Sequence, residues 1–483
     1  MASRLALMWD AAMRLGPRPV VLAAWGKGPG RWLAARRLRA EQQDLLRPGQ
    51  DIRPLWEAAR WTDLPAEPRA AAEAWMAAHP PFSGPHWQCG QEAALRLLQL
   101  ALRLAPPLPD WARPIITAHL RRIQANPAYA LAQDNNHPVS EAAGLLAGAL
   151  LLGDPALARR ASIRLDRVTA RLVAADGSFA QPSPCYHRLM LDVLTAAELL
   201  RRRWGGPPAA PGTLGRAAAA TRWLAWVACP QTGALPRIGH QDDSAFDGSA
   251  DARGSIARAA ALFGDPGPAP DRWEGGWLRG WQAAGARVLL RRGPLRFRPA
   301  HADLLHLELW DGAAPLLRDA GSGAYNPPPE SRWWLSYFWS TAAHNTVAFD
   351  GEDQMPRLST FLHAHWPRCG TTADGGADWL EDARGRRHLR QVEAAGRRWL
   401  VIDRLSGPYR EAALYWHLAP ADWRLLPDGV ESGRARLRIA GEGEMTVSLE
   451  QGWHSPRYGV VEPSPVLVAR GRVGGFVTRV ELP

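Results

Sequence analysis

Lysine is almost missing from this chain of 483 residues: Lys27 is the only one, and every other basic side chain is arginine. Cysteine is scarce as well. Cys89, Cys185, Cys229 and Cys369 lie far apart, which argues against a disulfide framework and any closely spaced zinc motif and leaves free, mostly buried thiols as the expectation. No long hydrophobic run is present. The longest nearly apolar stretch, Ala142 to Leu152, falls short of the ~20 residues that a bilayer span takes. It reads as a buried helix, and no membrane span is expected. A secretory leader is not recognisable: Asp10 interrupts the first apolar stretch, and Val20 to Trp25 is shorter than an h-region of ~7–15 residues. These absences point to the cytoplasm, with the periplasm as the alternative. A basic tail, finger spacings and aromatic–basic readers are also lacking, so nucleic acid is not the expected partner.

What is present is a formal charge of +11 and 24 tryptophans. The charge is compatible with a general enrichment in Ala, Arg, Gly and Pro. It is equally compatible with a polyanionic partner, because guanidinium grips carboxylate and sulfate with a two-pronged fork. Most tryptophans are expected in cores, and some as platforms for sugar rings.

The first 280 residues or so carry apolar residues at steps of three and four, as in LRLLQLALRL (95–104), SEAAGLLAGALLLG (140–153), ALARRASIRLDRVTARLVA (156–174) and HRLMLDVLTAAELLRRRW (187–204). Repeated helical hairpins pack as a solenoid or a closed ring. GDPGPAPDRWEGG (264–276) then reads as a linker. Short alternating runs with turn signals follow to the end, which indicates an antiparallel β-sandwich. Oligomeric state is not legible.

Four segments could carry chemistry. In QDNNHPVSEAAGLL (133–146), Asp134 or Asn135 suffices to cap the helix. Asn136 and His137 exceed that need and suggest a cleft at a helix N-terminus, a natural anion site. In DGSFAQPSPCYHRLMLDVL (176–194), Tyr186 and His187 offer a phenol and an imidazole at the start of another helix. PRIGHQDDSAF (236–246) sets His240, Asp242 and Asp243 in a loop that orients other groups. In HADLLHLELWDGAAPLLRDAG (301–321), strand alternation would put His301 and Asp303 on one face with Leu305. His344 precedes a strand in STAAHNTVAFDGEDQ (340–354). Two histidines and an aspartate from these segments could hold Zn²⁺ and leave a fourth position for water. Hairpin register places Asp319 nearer His306 than His301, so the ligand choice stays open.

In this order, CGQEAALRLLQLAL (89–102), NNH with its apolar helix, DGSFAQPSPCYHR, HADLLHLEL, DAGSGAYN and STAAHNTV with DGEDQ resemble the heparinase II/III-like family of polysaccharide lyases. The resemblance implies an α+β multidomain protein: an incomplete (α/α) toroid over 1–280 and an antiparallel β-sandwich over 281–483. It implies β-elimination on a polysaccharide or oligosaccharide that contains uronic acid. Asn136, with His137 beside it, would neutralise the uronate carboxylate. Tyr186 would act as base, acid or both, with His187 and Tyr325 assisting. Arg188, His240 and Asp243 would bind substrate, and His301, Asp319 and His344 would hold a structural zinc. One departure stands out. Family members often carry a histidine two residues before the HAD motif, and here that position is Pro299. His187, His306 or His240 would have to substitute, or Tyr186 would act alone. The competing expectations are a non-catalytic polysaccharide-binding protein and a glycoside hydrolase using Asp242 and Asp243.

Overall fold

The computed structural model describes residues 4–38 and 51–483. Helices run from Arg4 to Phe263, and antiparallel strands begin at Arg272. The change falls inside the Pro/Gly linker, and two strands, Arg272–Gly275 and Leu278–Ala283, start before residue 281.

The central helix of the first domain is Asn136–Leu152. Asn135 caps it by accepting the N–H of His137, and Gly153 ends it in the left-handed conformation at φ 70°. It packs on Gly90–Arg103, Pro155–Leu172 and Pro184–Arg203. Its Ala/Leu/Gly composition now has a reason. A Cβ added at Gly144 would lie 2.7 Å from the Cβ and 2.9 Å from the Cα of Ala94. Gly144→Val must therefore push two helix backbones apart. The expected loss is about 1–3 kcal/mol for an overpacked core, read as a lower midpoint in a denaturant melt.

The second domain is a sandwich. A five-stranded meander in sequence order, from Arg272–Gly275 to Ala314–Leu317, faces a ten-stranded sheet. The sheets share one core, in which Val288, Leu307 and Leu309 meet Trp399, Trp416 and Phe476. Two long strands, Ala435–Arg457 and Val460–Glu481, form the spine of the larger sheet, with a register shift between Gly441 and Gly443. Residues 301–306 do not form the strand that alternation suggested. They make bends and turns, Leu305 has φ +62°, and the strand starts at Leu307. Asp303 accordingly turns to Arg291, 3.5 Å away, inside the core.

Candidate active site

A cleft of about 720 Å³ lies between the domains. Its floor is the start of the central helix. Asn136 is buried and donates one amide N–H to Gln91 Oε1 at 2.7 Å. Gln91 Nε2 in turn reaches Glu92 Oε1 at 3.4 Å, and Glu92 takes two bonds of 2.8 Å from Arg60. This chain fixes the plane of the Asn136 amide and leaves its second N–H for the cleft. His137 lines the cleft beside it, with Nδ1 3.4 Å from Gln133 Nε2 and 3.7 Å from Cys89 Sγ. Burial lowers its pKa to about 4, so the ring is neutral at physiological pH.

Two phenols meet across the domain boundary. Ser183 caps helix Pro184–Arg203 by accepting the N–H of Tyr186, which sets that side chain in the cleft. Its hydroxyl is 2.9 Å from that of Tyr325, in the loop after strand Ala314–Leu317. The Tyr325 N–H donates to the Tyr458 hydroxyl at 2.8 Å, which anchors the loop. Burial, then the charge of Asp242, pushes the Tyr186 pKa well above the usual phenol value; the bond from Tyr325 and the charge of Arg53 oppose this. Both hydroxyls are therefore protonated at neutral pH.

The loop at 236–246 crosses from one domain to the other. Gly239 has φ +71°, and a Cβ there would lie 1.9 Å from the Pro182 carbonyl oxygen, so only glycine lets the chain pass. Ser322 Oγ, from the same loop as Tyr325, accepts the Gln241 N–H at 2.9 Å. The crossing delivers His240 to the cleft wall, its ring 5.5 Å from Tyr325 and 5.2 Å from Phe361. Nε2 of His240 is buried without a hydrogen-bond partner among the described residues. Burial, helped by the charges of His363 and Arg298, lowers its pKa to about 3.

Three expected site residues lie elsewhere. His187 sits one residue past Tyr186, about 100° around the helix. It stacks on Trp223 at 4.3 Å and bonds the Ala220 carbonyl through Nε2 at 3.0 Å, away from the cleft. Arg188 is buried and holds the first turn of helix Arg253–Phe263 through Ser255 (2.8 Å) and the loop before it through Asp247 (2.7 Å) and the Ser249 carbonyl (2.6 Å). Asp243 is exposed, pairs with Arg237 at 3.0 Å and accepts the Tyr458 N–H at 2.6 Å. Its neighbour Asp242 is the one in the cleft, paired with Arg53. Burial alone would raise the Asp242 carboxyl, but the charge of Arg53 and its hydrogen bond hold it at about 2.

Four of the cleft's five acids are ion-paired; the fifth, Asp51, accepts the Arg53 N–H at 3.0 Å and the Tyr458 hydroxyl. Asp242 has Arg53, Glu92 has Arg60, Asp134 has Arg18 and Arg171, and Glu141 has Arg164 at 3.4 Å. Several cations are not ion-paired. Arg122 bonds the carbonyls of Trp87 and Gln88, and Arg298 that of Gln133 at 2.8 Å. Neither has an ion-pair partner among the described residues. Lys27 and Arg31 add to the same wall. Apart from Asp51, the charge without an ion-pair partner on the cavity wall is positive.

Behind His240 lies the histidine–aspartate cluster. His301, Asp319 and His344 are buried, with one potential ligand atom from each within 4.8 Å of the others. His344 Nδ1 is 2.9 Å from Asp319 Oδ2, while His344 Nε2 and both ring nitrogens of His301 have no hydrogen-bond partner among the described residues. Buried imidazoles without partners are costly, and a His/Asp/His donor set suits a divalent metal. His306 also approaches Asp319, at 3.5 Å, but its Nδ1 accepts the Asn345 N–H at 2.9 Å. The register argument thus found a real neighbour of Asp319, while the three-residue group that could hold a metal contains His301.

Sequence reasoning missed Gln91, Arg298, Phe361 and the Arg53–Asp242 pair. Gln91 sits in the quoted CGQEAAL stretch, and Arg298 adjoins Pro299, but nothing in composition or spacing assigns either a task.

The family description "Heparinase II/III-like, C-terminal" matches residues 265–481. A solved heparinase III covers 86% of this chain and 72% of its own at 12% identity, with a TM-score of 0.68. A heparan sulfate lyase from Pedobacter heparinus covers 99% and 86% at 16% identity, with a TM-score of 0.59. A chondroitinase AC lyase covers 100% and 83% at 12% identity, with a TM-score of 0.53. No curated protein matched the sequence. The helical domain followed by a sheet domain is the architecture of these structures, an incomplete toroid and a β-sandwich. Residues 265–481 thus match the C-terminal domain of the heparinase II/III-like family, and the fold of the chain as a whole is that of these lyase structures.

Proposed function

We propose that the protein is a polysaccharide lyase that cleaves an acidic, uronate-containing polysaccharide or oligosaccharide by β-elimination. The observation that carries this reading is the convergence of Asn136, Tyr186, Tyr325 and His240 on one cleft whose free charges are mostly positive. The hydrogen at C5 of a uronate is hardly acidic. The free N–H of Asn136 donates to the sugar carboxylate, so that charge developing there is stabilised. A base takes the C5 proton, the C–H electrons form the C4–C5 double bond, the C4–O4 bond breaks, and an acid protonates the departing oxygen.

The ionisation states divide those tasks. Tyr186 is a protonated phenol and suits the acid role toward O4. His240 is neutral, with Nε2 free, and suits the base role. A bound carboxylate raises the His240 pKa, which strengthens it as a base, and keeps the Tyr186 phenol protonated. His240 thereby fills the gap left by Pro299. His187 and His306 are engaged elsewhere. Assay against a panel of uronate polymers should show ultraviolet absorbance rising as an unsaturated uronate forms; if no polymer yields it, the reading fails.

One observation favours a hydrolase instead. Glu141 lines the cleft and burial pushes its carboxyl up to about 7, while Asp242 lies at about 2. An acid and a base of this kind are what inverting hydrolysis uses. Asp242, however, is committed to Arg53 and to the Ser244 N–H at 3.1 Å. Reducing sugar released without absorbance would favour this second reading.

We also propose zinc at His301, Asp319 and His344, where it would supply a structural tie. Its ligands come from the turn carrying His301, the loop leading to Tyr325 and the segment before Val347–Phe349. The His301 ring lies 5.0 Å from that of His240, so the tie would hold the proposed base from behind. Metal analysis should find stoichiometric zinc. A site filled at ~100–1,000 times its Kd stabilises by about 3–4 kcal/mol, so chelation should lower the Tm by roughly 5–15 °C, and His344→Ala should remove that response to chelator.

A further inference from the structure

The first three helices carry a surface that the proposed chemistry does not use. Helix Arg4–Leu15 turns Leu5, Trp9 and Met13 outward at four-residue steps, 77, 70 and 65 % exposed. The opposite side of the same helix is committed. Ala11 is fully buried, Asp10 accepts the His365 N–H and pairs with Arg14 at 2.8 Å, and Arg14 donates to the Trp366 carbonyl at 3.1 Å. The helix is thus fastened to the sheet domain with its apolar stripe facing solvent. Helix Pro17–Lys27 adds Val21 and Trp25, and helix Pro29–Leu38 adds Trp32, each half or more exposed.

The charge around this stripe has one sign. Residues 4–38 hold seven basic side chains against a single acid, Asp10; Arg14 pairs with Asp10, Arg18 with Asp134, and Lys27 and Arg31 wall the cleft, which leaves three for the outer face. Arg4, Arg36 and Arg37 are exposed, and the Arg36 guanidinium lies over the Trp32 ring at 5.6 Å. Tryptophan rings flanked by arginine suit the boundary between lipid headgroups and acyl chains. No described helix is long and apolar enough to cross a membrane. We propose that helices Arg4–Leu15, Pro17–Lys27 and Pro29–Leu38 form a peripheral docking surface for an anionic lipid bilayer. Charge complementarity selects that occupant over a second copy of the chain, whose matching face would be equally positive. The same helices wall the cleft through Lys27, Arg31 and Ala35, so docking would place the cavity beside the membrane surface.

Co-sedimentation of the full chain with lipid vesicles tests this. Vesicles of phosphatidylcholine mixed with phosphatidylglycerol should bind the protein at least about tenfold more strongly than phosphatidylcholine alone, and salt should weaken the binding. The triple variant Leu5→Gln, Trp9→Gln, Met13→Gln should lose about tenfold or more in partitioning with an unchanged thermal melt, since all three side chains are exposed. The variant Arg36→Gln, Arg37→Gln leaves the stripe intact and should weaken binding to the anionic vesicles alone. Equal binding to both vesicle types, or a triple variant that binds like the parent, would overturn the proposal. So would a parent protein that is dimeric in light scattering and a triple variant that is monomeric, because the stripe would then be an interface between copies.

Discussion

Tyr186→Phe is expected to lower kcat by about 10²–10⁴, the usual worth of a positioned proton-transfer group, while the chain stays folded. The change removes one oxygen. It leaves the buried ring, the Ser183 cap and the packing of helix Pro184–Arg203 in place. Its structural cost is the lost partner of the Tyr325 hydroxyl, roughly 1–3 kcal/mol for an unsatisfied buried group, so a modest drop in Tm accompanies the kinetic loss. Tyr325→Phe removes the same 2.9 Å bond from the other side and makes an internal control. If Tyr186 donates the proton and Tyr325 only positions it, Tyr325→Phe costs similar stability and far less rate. Equal rates for parent and Tyr186→Phe, at saturating substrate, would remove the phenol from the chemistry.

Asn136→Ala should lower kcat/KM by about 10²–10³, or roughly 3–4 kcal/mol of transition-state stabilisation, the loss typical for a fixed donor to a developing oxyanion. Asn136→Asp should be worse, because it sets a carboxylate against the carboxylate of the sugar. Gln91→Ala separates positioning from contact. Gln91 orients the amide through the 2.7 Å bond and does not itself need to touch the sugar. Its loss should reduce kcat by less than Asn136→Ala, with Gln91→Glu restoring part of the rate by keeping an acceptor for the amide. If Asn136→Ala acts wholly through KM, the amide binds ground and transition states alike and is no electrophilic assistant.

Much of this was legible in the sequence, for identifiable reasons. The helical runs at 95–104, 140–153, 156–174 and 187–204 fall within Gly90–Arg103 with its Leu104 cap, Asn136–Leu152 with its Gly153 cap, Pro155–Leu172 with the two residues after it, and Pro184–Arg203 with Trp204. Apolar spacing at 3.6 residues per turn is a local signal. The excess of polar groups before the central helix pointed to Asn136 and His137, and both line the cleft. Position within a helix turn was less legible. Tyr186 and His187 are adjacent in the chain but about 100° apart on the helix, so one faces the cavity and the other Trp223. The pair Asp242 and Asp243 divides in the same way: Asp243 at φ +55° turns outward while Asp242 stays inside. Arg188 carried the charge expected of a substrate ligand, but long-range contacts with Asp247 and Ser255 decide where it goes.

Two further differences have physical causes. The alternating runs toward the C-terminus read as short strands, yet Ala435–Arg457 is one long strand that passes through GEGE at 441–444, because a glycine pair is accommodated as a bulge in a long antiparallel ladder. HADLLH reads as alternating strand, yet tertiary demands on His301, Asp303 and His306 hold it in turns.

The account rests on a sugar acid sitting between the amide and the phenol. A crystal structure of Tyr186→Phe soaked with an acidic oligosaccharide tests that directly. The predicted result is a uronate whose carboxylate lies within hydrogen-bond distance of Asn136 Nδ2, about 3 Å, with C5 toward His240 and O4 toward the ring of residue 186. An oligosaccharide bound elsewhere, or bound here with its carboxylate turned away from Asn136, would contradict it.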